Sequence, residues 1–239
     1  MRSKFILTIA AFGLAVPAWA DYEEVRELSL DTRGVDTLDI DAGAGSLDVV
    51  GAPNATGITV VATIEIDTND EERAREIIEE RMVLVLERDS DKATLNAWFE
   101  DGGWNWGRGD SPRISLEVQM PEGLHLSVED GSGSIEIENV RGDIDLEDGS
   151  GSLSMRGVGG QVEIEDGSGS ISVTDVGGDL SIDDGSGSIK VRDVAGSVTV
   201  DDGSGSIDVS DIEEDLIIVD DGSGGLNFSN IGGRVEKES

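Results

Sequence analysis

The chain has 239 residues, of which 52 are Asp or Glu and 17 are Lys or Arg, so its formal net charge is −35. This charge opposes binding to nucleic acid or to an anionic membrane, and it favours cationic partners. The sequence contains no Cys, which excludes disulfides and thiolate metal sites. One His and one Tyr leave few side chains that transfer protons near neutral pH.

The N-terminal segment, up to Ala20, has the pattern of a cleavable export signal. Arg2 and Lys4 precede an apolar stretch over positions 5–16, which is too short to span a bilayer stably, and A-W-A at 18–20 is a cleavage site of small residues. We expect the mature chain to start at Asp21 and to be located in the periplasm, on the cell surface or outside the cell. No later apolar stretch is long enough to cross a bilayer, so no transmembrane segment is predicted there.

From Val128 onward the sequence repeats at a fixed short period. The string D-G-S-G-S recurs at a constant spacing, starting at Asp130, Asp148, Asp166, Asp184 and Asp202. A related string, D-G-S-G-G, starts at Asp221, one position later than the period requires. A period of this length indicates a stacked architecture in which each unit packs on its neighbours.

Within each unit an apolar-x-apolar triplet occurs twice, at equal intervals, as at Ile135/Ile137 and Ile144/Leu146. Such a triplet is a short strand with one face inward, and the spacing leaves room for a turn but not for a helix. The sequence therefore predicts an all-β, right-handed parallel β-solenoid with about 18 residues and two short strands per coil. A turn column, Asn139 with its equivalents at 157, 175, 193, 211 and 230, favours left-handed backbone. The extra residue near Val219 predicts a β-bulge.

The segment before the array is less regular. Asn69 is expected to cap a helix over residues 70–81, and residues 82–86 and 93–99 are expected to form a hairpin. We expect this insert to cap or flank the solenoid, because an open end exposes unpaired strand edges. The predicted organisation is a signal peptide (1–20) followed by one domain (21–239), made of irregular coils (21–68), a helix, hairpin and Trp-rich insert (69–120) and the regular array (121–239).

The acidic columns are the main chemical feature. Each D-G-S-G string is preceded by a second acid, as in Glu147-Asp148, so two carboxylates recur in every coil. Stacked like charges about 4.8 Å apart repel one another, and something must offset that repulsion. One interpretation is local: an Asp before Gly-Ser-Gly accepts backbone N–H groups in its turn, and the columns form a solvated, salt-screened face. The other is bound Ca²⁺, with candidate ligands Asp130, Asp148, Asp166, Asp184, Asp202 and Asp221.

The nonapeptide calcium-binding motif G-G-x-G-x-D-x-U-x has the same period but does not match. When its third Gly is aligned with Gly133, Ile135 stands where the ligand Asp belongs. Any Ca²⁺ would therefore be bound in a different geometry. We expect no other cofactor.

Aromatic residues cluster in the insert, at Trp98, Phe99, Trp104 and Trp106. Aromatic surfaces anchor partners or stack on sugars, and these four are the candidate partner-binding residues. The alternative is that the rings cover an open end of the solenoid.

The chain resembles a family of exported bacterial domains of unknown function that are named putative adhesins. The resemblance rests on the signal peptide, G-S-L-D-V at 45–49, the charged helical interruption at 70–81 and the run of G-S-G-S-I-x-V repeats from Gly131. It implies a β-solenoid with no established reaction.

No pair of titratable groups in unlike environments indicates catalysis, and uniform turns leave no long loops to build a cleft. The sequence predicts a non-enzymatic, adhesin-like or scaffold protein of the cell envelope that contacts an envelope protein, a glycan or a matrix component. An acidic Ca²⁺-binding envelope protein is the alternative, and an envelope-associated enzyme of unknown type is a remote one.

Overall fold

A computed structural model describes residues 22–100 and 111–238, which form a parallel β-solenoid with antiparallel strands added at its N-terminal end, 18 strands in all, and one helix, α1 (Glu71–Arg81). The N-terminal strands are β1 (Tyr22–Asp31), β2 (Thr37–Ala52), β3 (Gly57–Ile66), β4 (Met82–Asp89), β5 (Lys92–Phe99) and β6 (Pro112–Pro121). The regular array contains β7 (His125–Glu138), β8 (Ile144–Asp148), β9 (Gly151–Val158), β10 (Val162–Asp166), β11 (Gly169–Val176), β12 (Leu180–Asp184), β13 (Gly187–Val194), β14 (Val198–Asp202), β15 (Gly205–Ile212), β16 (Leu216–Asp220), β17 (Gly225–Ile231) and β18 (Val235–Lys237). The predicted fold class is confirmed.

Each coil of the array contributes one short strand and one longer strand, and β7 runs through both positions. Strands pair in parallel with their counterparts in the next coil, so that Ile144 lies beside Val162 and Leu153 beside Ile171. The members of each pair are separated by one full period of the repeat. Each residue therefore stacks on its own counterpart, and a column of the sequence becomes a straight row in the molecule.

The core consists of the predicted aliphatic rows. The inward residues of the array from Ile135 to Ile218 are at most 3% exposed, and the corner residues from Val140 to Ile212 are equally buried. The last coil differs because, within the described residues, no coil is stacked on its outer side. There Phe228 is 48% exposed, although its position continues an inward row.

The turn column has the predicted backbone conformation. Its members have φ between 55° and 72°: Asn139, Gly157, Asp175, Asp193, Asp211 and Asn230. Asn, Asp and Gly adopt this left-handed conformation most readily, which explains the restricted choice of residues. The predicted bulge is also present, since Val200 pairs with Ile218 but Asp201 pairs with Asp220, leaving Val219 as the extra residue.

The N-terminal end of the solenoid is built around β2. This strand pairs along its length with β7 on one side, while on its other side β5 pairs with its first half and β6 with its second half. Antiparallel pairing then adds β4 to β5, β3 to β6 and β1 to β3. The free edge of the first complete coil is thus covered by strands from the preceding segment and the insert.

Helix α1 has a different cap from the one that the sequence indicates. The Asp70 side chain accepts the backbone N–H groups of Glu72 and Arg73, both at 3.1 Å, so Asp70 and not Asn69 is the N-cap. Ala74, Ile77 and Ile78 form its buried side, as the sequence predicts. Strand β1 lies outside the repeats, and no sequence pattern marks it.

A buried charge in the middle of the array should disrupt the core. We expect Ile171→Asp to lower the free energy of unfolding by about 3–5 kcal/mol, because Ile171 is 1% exposed and its row is aliphatic. The control is Ser172→Asp, which places the same charge on the adjacent, exposed position. Urea unfolding followed by circular dichroism measures both. Equal midpoints for the two variants would show that the register is wrong.

The second glycine of each D-G-S-G turn has no room for a side chain. A Cβ on Gly151, which has φ +152°, would lie 1.7 Å from the carbonyl oxygen of Gly133 in the preceding coil. Gly151→Ala should therefore cost more than about 3 kcal/mol of stability. Gly123→Ala is the matched control, because no heavy atom lies within 4 Å of its Cβ position, and it should stay within about 0.5 kcal/mol. Thermal melting of the two variants distinguishes these outcomes.

Candidate functional site

The two acidic columns lie side by side at one corner of the solenoid, but they face opposite ways. Burial alternates along β8, where Ile144, Leu146 and Asp148 are buried while Asp145 and Glu147 are exposed. Strands β10 and β12 show the same alternation. Because successive side chains of a strand point to opposite faces, the Asp of D-G-S-G lies on the same side as the apolar core.

We call the inward column the inner ladder. It consists of Asp130, Asp148, Asp166, Asp184 and Asp202, which are 8%, 5%, 5%, 1% and 0% exposed. Each member lies in register with the next, one strand spacing away, or about 4.8 Å. The expectation that this column is a solvated face is wrong. The apolar alternation of the strand continues into the aspartate and carries it inside.

One oxygen of each carboxyl from Asp148 onward is used in the local turn. The backbone N–H of Ser150 donates to Asp148 Oδ1 at 3.0 Å, and Ser168 donates to Asp166 Oδ1 at the same distance. Equivalent bonds join Ser186 to Asp184 and Ser204 to Asp202. The local interpretation of the D-G-S-G aspartates is confirmed for this oxygen.

The second oxygen has no such partner. Oδ2 of every inner-ladder aspartate is buried and accepts no hydrogen bond among the described residues. Burial raises the pKa of Asp130 to about 7, and the charge of Asp148 acts in the same direction. Burial also raises the pKa of Asp184 to about 6, against the opposing effect of the Ser186 N–H. The pKa of each remaining member is raised from 3.8 by burial: Asp148, Asp166 and Asp202.

We call the outward column the outer row. Its members stack in register from the N-terminal end to the last coil: Asp41, Glu129, Glu147, Glu165, Asp183, Asp201 and Asp220. The outer row from Asp41 to Asp183, the inner ladder from Asp130 to Asp166 and the intervening glycines line a groove of about 650 Å³. Glu129, Glu147, Glu165 and Asp183 are exposed, and none of the ion pairs found within residues 22–100 and 111–238 involves them.

Asp221 differs from the five inner-ladder aspartates, because it is only partly buried. The bulge at Val219 absorbs the extra residue, so Asp220 still lies opposite Asp201, but it is Asp220 Oδ1 that accepts the turn N–H, from Gly222 at 2.9 Å. Asp221 instead lies 2.5 Å from Lys237 Nζ in an ion pair. The equivalence of Asp221 with the other five candidate ligands, which the repeat suggests, is therefore lost in three dimensions.

Ca²⁺ binding stays a prediction. In the described part of the chain, no group of three or more His, Asp or Glu side chains is arranged to hold a metal ion. The carboxylates are ordered in rows, with one member from each coil, and they do not converge on a point.

The aromatic candidates divide into two pairs. Trp98 and Phe99 lie at the end of β5 and are half-buried, with Phe99 packed against the core. The Cβ atom of Trp98 lies 3.1 Å from the Cβ position of Gly43, which follows Asp41 and Ala42 at the N-terminal end of the groove. The structure therefore brings Trp98 close to the acidic groove, a proximity that the sequence does not reveal. Trp104 and Trp106 lie outside the described residues, as does the predicted signal peptide.

His125 has a structural role. Its Nδ1 accepts the backbone N–H of Asp143 in the next coil at 3.0 Å. Asp143, the counterpart of His125 in the next coil, forms an equivalent bond, because its Oδ1 accepts the backbone N–H of Gln161 at 2.9 Å. These bonds satisfy turn backbone between coils.

No family model matches the chain, and no curated protein shows a significant match. Several solved structures are similar. A putative lipid-binding protein from Parabacteroides distasonis has 18% identity and a TM-score of 0.46, with 91% of this chain and 97% of that chain covered. A putative adhesin from Bacteroides fragilis has 11% identity and a TM-score of 0.44 (90% and 97% covered). A putative cell adhesion protein from Clostridium sporogenes has 10% identity and a TM-score of 0.34 (92% and 100% covered).

At these identities and TM-scores the likeness identifies neither a partner nor a reaction. Within the described ranges, α1 is the only helix, and no helix has the length and apolar character needed to span a membrane.

Proposed function

We propose that this chain is an exported, non-catalytic, adhesin-like or scaffold protein of the cell envelope that binds a cationic partner along its acidic groove. The observation that carries the proposal is the outer row. Four successive exposed carboxylates, from Glu129 to Asp183, lie along a straight groove, and no ion pair with a Lys or Arg of the described residues neutralises them. A surface that the fold leaves this strongly charged favours partners of the opposite charge.

The form of the groove supports binding rather than chemistry. Successive coils present the same residues in the same surroundings, so the carboxylates are not divided into an acid and a base. Repetition suits a partner that is itself elongated, because several modest contacts then act together. An envelope protein with a Lys- or Arg-rich segment has this character, and we take it as the partner class.

Trp98 supports the same assignment. It lies at the N-terminal end of the groove, next to Gly43, and it is half-buried. Aromatic faces attract Lys and Arg side chains, so an aromatic ring at the end of an acidic row adds a contact of the same specificity.

Ca²⁺ is the alternative occupant of the outer row. Neighbouring carboxylates about 4.8 Å apart would supply one ligand each to an ion midway between them. Ca²⁺ takes six to eight oxygen ligands, so water would have to supply most of them. We therefore favour the cationic partner and treat Ca²⁺ as an outcome of the test.

The test uses poly-lysine as the probe. Glu147→Gln with Glu165→Gln removes two charges from the outer row and should weaken poly-lysine binding roughly 5–10-fold, as expected for two lost charge contacts near a protein surface. Glu136→Gln with Asp208→Asn is the control, because it makes the same change in net charge at exposed positions outside the groove, in the second half of β7 and in β15. Titration calorimetry at fixed ionic strength measures both affinities.

An equal loss in the two double variants would show that poly-lysine responds to net charge alone, and the groove assignment would be wrong. Saturable Ca²⁺ binding that the outer-row variant abolishes, without an effect on poly-lysine, would instead support the alternative.

A further inference from the structure

The inner ladder has an unmet electrostatic requirement that does not depend on the proposed function. Its five carboxyls are at most 8% exposed and follow one another at single strand spacings. Oδ1 of the last four accepts a turn N–H, but Oδ2 of all five is buried without a partner in the described chain. A row of buried anions in this state is strongly unfavourable, so the folded protein must supply a positive charge or a proton.

Among the described residues, the surroundings of the ladder supply no cationic side chain. On the same strands the nearest charged groups are the outer-row acids, and the last coil adds Asp220 and Asp221. The inward residues of the facing strands, such as Ile171 and Val173, are aliphatic. Lys237 is paired with Asp221. A metal ion is also disfavoured, because no group of three or more ligands converges within the described residues.

We propose that the inner ladder is a proton-binding array, in which buried carboxyls are held in the acid form and donate Oδ2–H to a carboxyl oxygen of the neighbouring coil. The stacking distance of about 4.8 Å separates equivalent atoms of successive coils. A carboxyl whose two oxygens lie along the stack would span part of this distance, and an O–H group on one coil would then reach an oxygen of the next. The proton satisfies Oδ2, removes a buried charge and links one coil to the next.

The electrostatics of the ladder support this assignment. The pKa of Asp184 rises from 3.8 to about 6 and that of Asp130 to about 7, both through burial first. Between 3.8 and these values the folded chain binds more protons than the unfolded chain. Stability is therefore greatest at the acid end of this window and falls as the pH rises through about 6–7. For Asp184 alone, two pKa units correspond to roughly a hundredfold change in the folding equilibrium constant.

The experiment compares matched charge removals on adjacent residues. Asp130→Asn with Asp184→Asn removes the two carboxyls whose pKa values rise to about 7 and about 6, and it places a neutral donor where each Oδ2–H would be. Glu129→Gln with Asp183→Asn removes two carboxyls from the adjacent, exposed positions of the outer row. Melting temperatures are measured from pH 4.5 to pH 8 in 1 M NaCl, where the Debye length of about 3 Å screens exposed charges but not buried ones.

We expect the melting temperature of the wild type and of the outer-row variant to fall as the pH rises. The inner-ladder variant should have a much flatter profile and should be the most stable of the three at pH 8. Parallel profiles for all three proteins would overturn the proposal, because the pH dependence would then come from the surface.

A second measurement on the unmodified protein does not depend on any variant. Carbon-13 titration of the Asp side-chain carboxyls by NMR should show resonances that titrate well above pH 5, and the inner-ladder variant should lack two of them. If every Asp titrates near or below its ordinary pKa, the array does not exist. If Ca²⁺ raises the melting temperature at pH 8 back to its value at acid pH, and matched NaCl does not, the ladder binds a cation and the proposal is also overturned.

Discussion

The whole molecule depends on one constraint, which is that each coil stacks on the next with no sideways offset. Ile144 lies beside Val162, and Val162 in turn lies beside Leu180. Neighbouring backbones approach so closely that the Gly151 position has no room for a side chain above Gly133. The tight turns, the left-handed corner and the nearly invariant D-G-S-G string are all consequences of this stacking.

Stacking in register places residues of the same type next to one another, which stabilises rows of apolar residues and destabilises rows of acidic residues. Rows of Ile, Leu and Val bury apolar surface continuously, which is the main source of stability in a repeat protein. Rows of carboxyls accumulate repulsion instead. The two acidic rows differ in exposure. The outer row is exposed to solvent, whereas the inner ladder is buried and one oxygen of a carboxyl such as that of Asp148 accepts a hydrogen bond from its own turn. Two adjacent acidic residues, such as Glu147 and Asp148, thus contribute one exposed and one buried carboxyl to each coil.

Much of this fold follows from the sequence because the repeat makes local patterns unambiguous. The period of the coils, the corner with positive φ and the bulge at Val219 are all readable from spacing and residue type. The inward direction of Asp148 is harder to predict, since an acid beside Gly and Ser is usually a surface residue, although the alternation from Ile144 through Leu146 points to it. Strand β1 has no repeat to mark it. The proximity of Trp98 to the groove depends on pairing between β5 and β2, which no local pattern encodes.

The bulge at Val219 also shows how this molecule can change in length. One added residue is absorbed locally, so that Asp220 keeps its place opposite Asp201 while Asp221 beside it forms an ion pair with Lys237. The loss or duplication of a whole coil has a different effect. It would join Val158 to a residue equivalent to Gly159, so every row of stacked residues would stay continuous. Unequal recombination between the repeats would therefore lengthen or shorten the acidic groove in steps of about 4.8 Å at constant chemistry. The number of carboxylates along the groove can therefore change during evolution, whereas the distance between them stays the same.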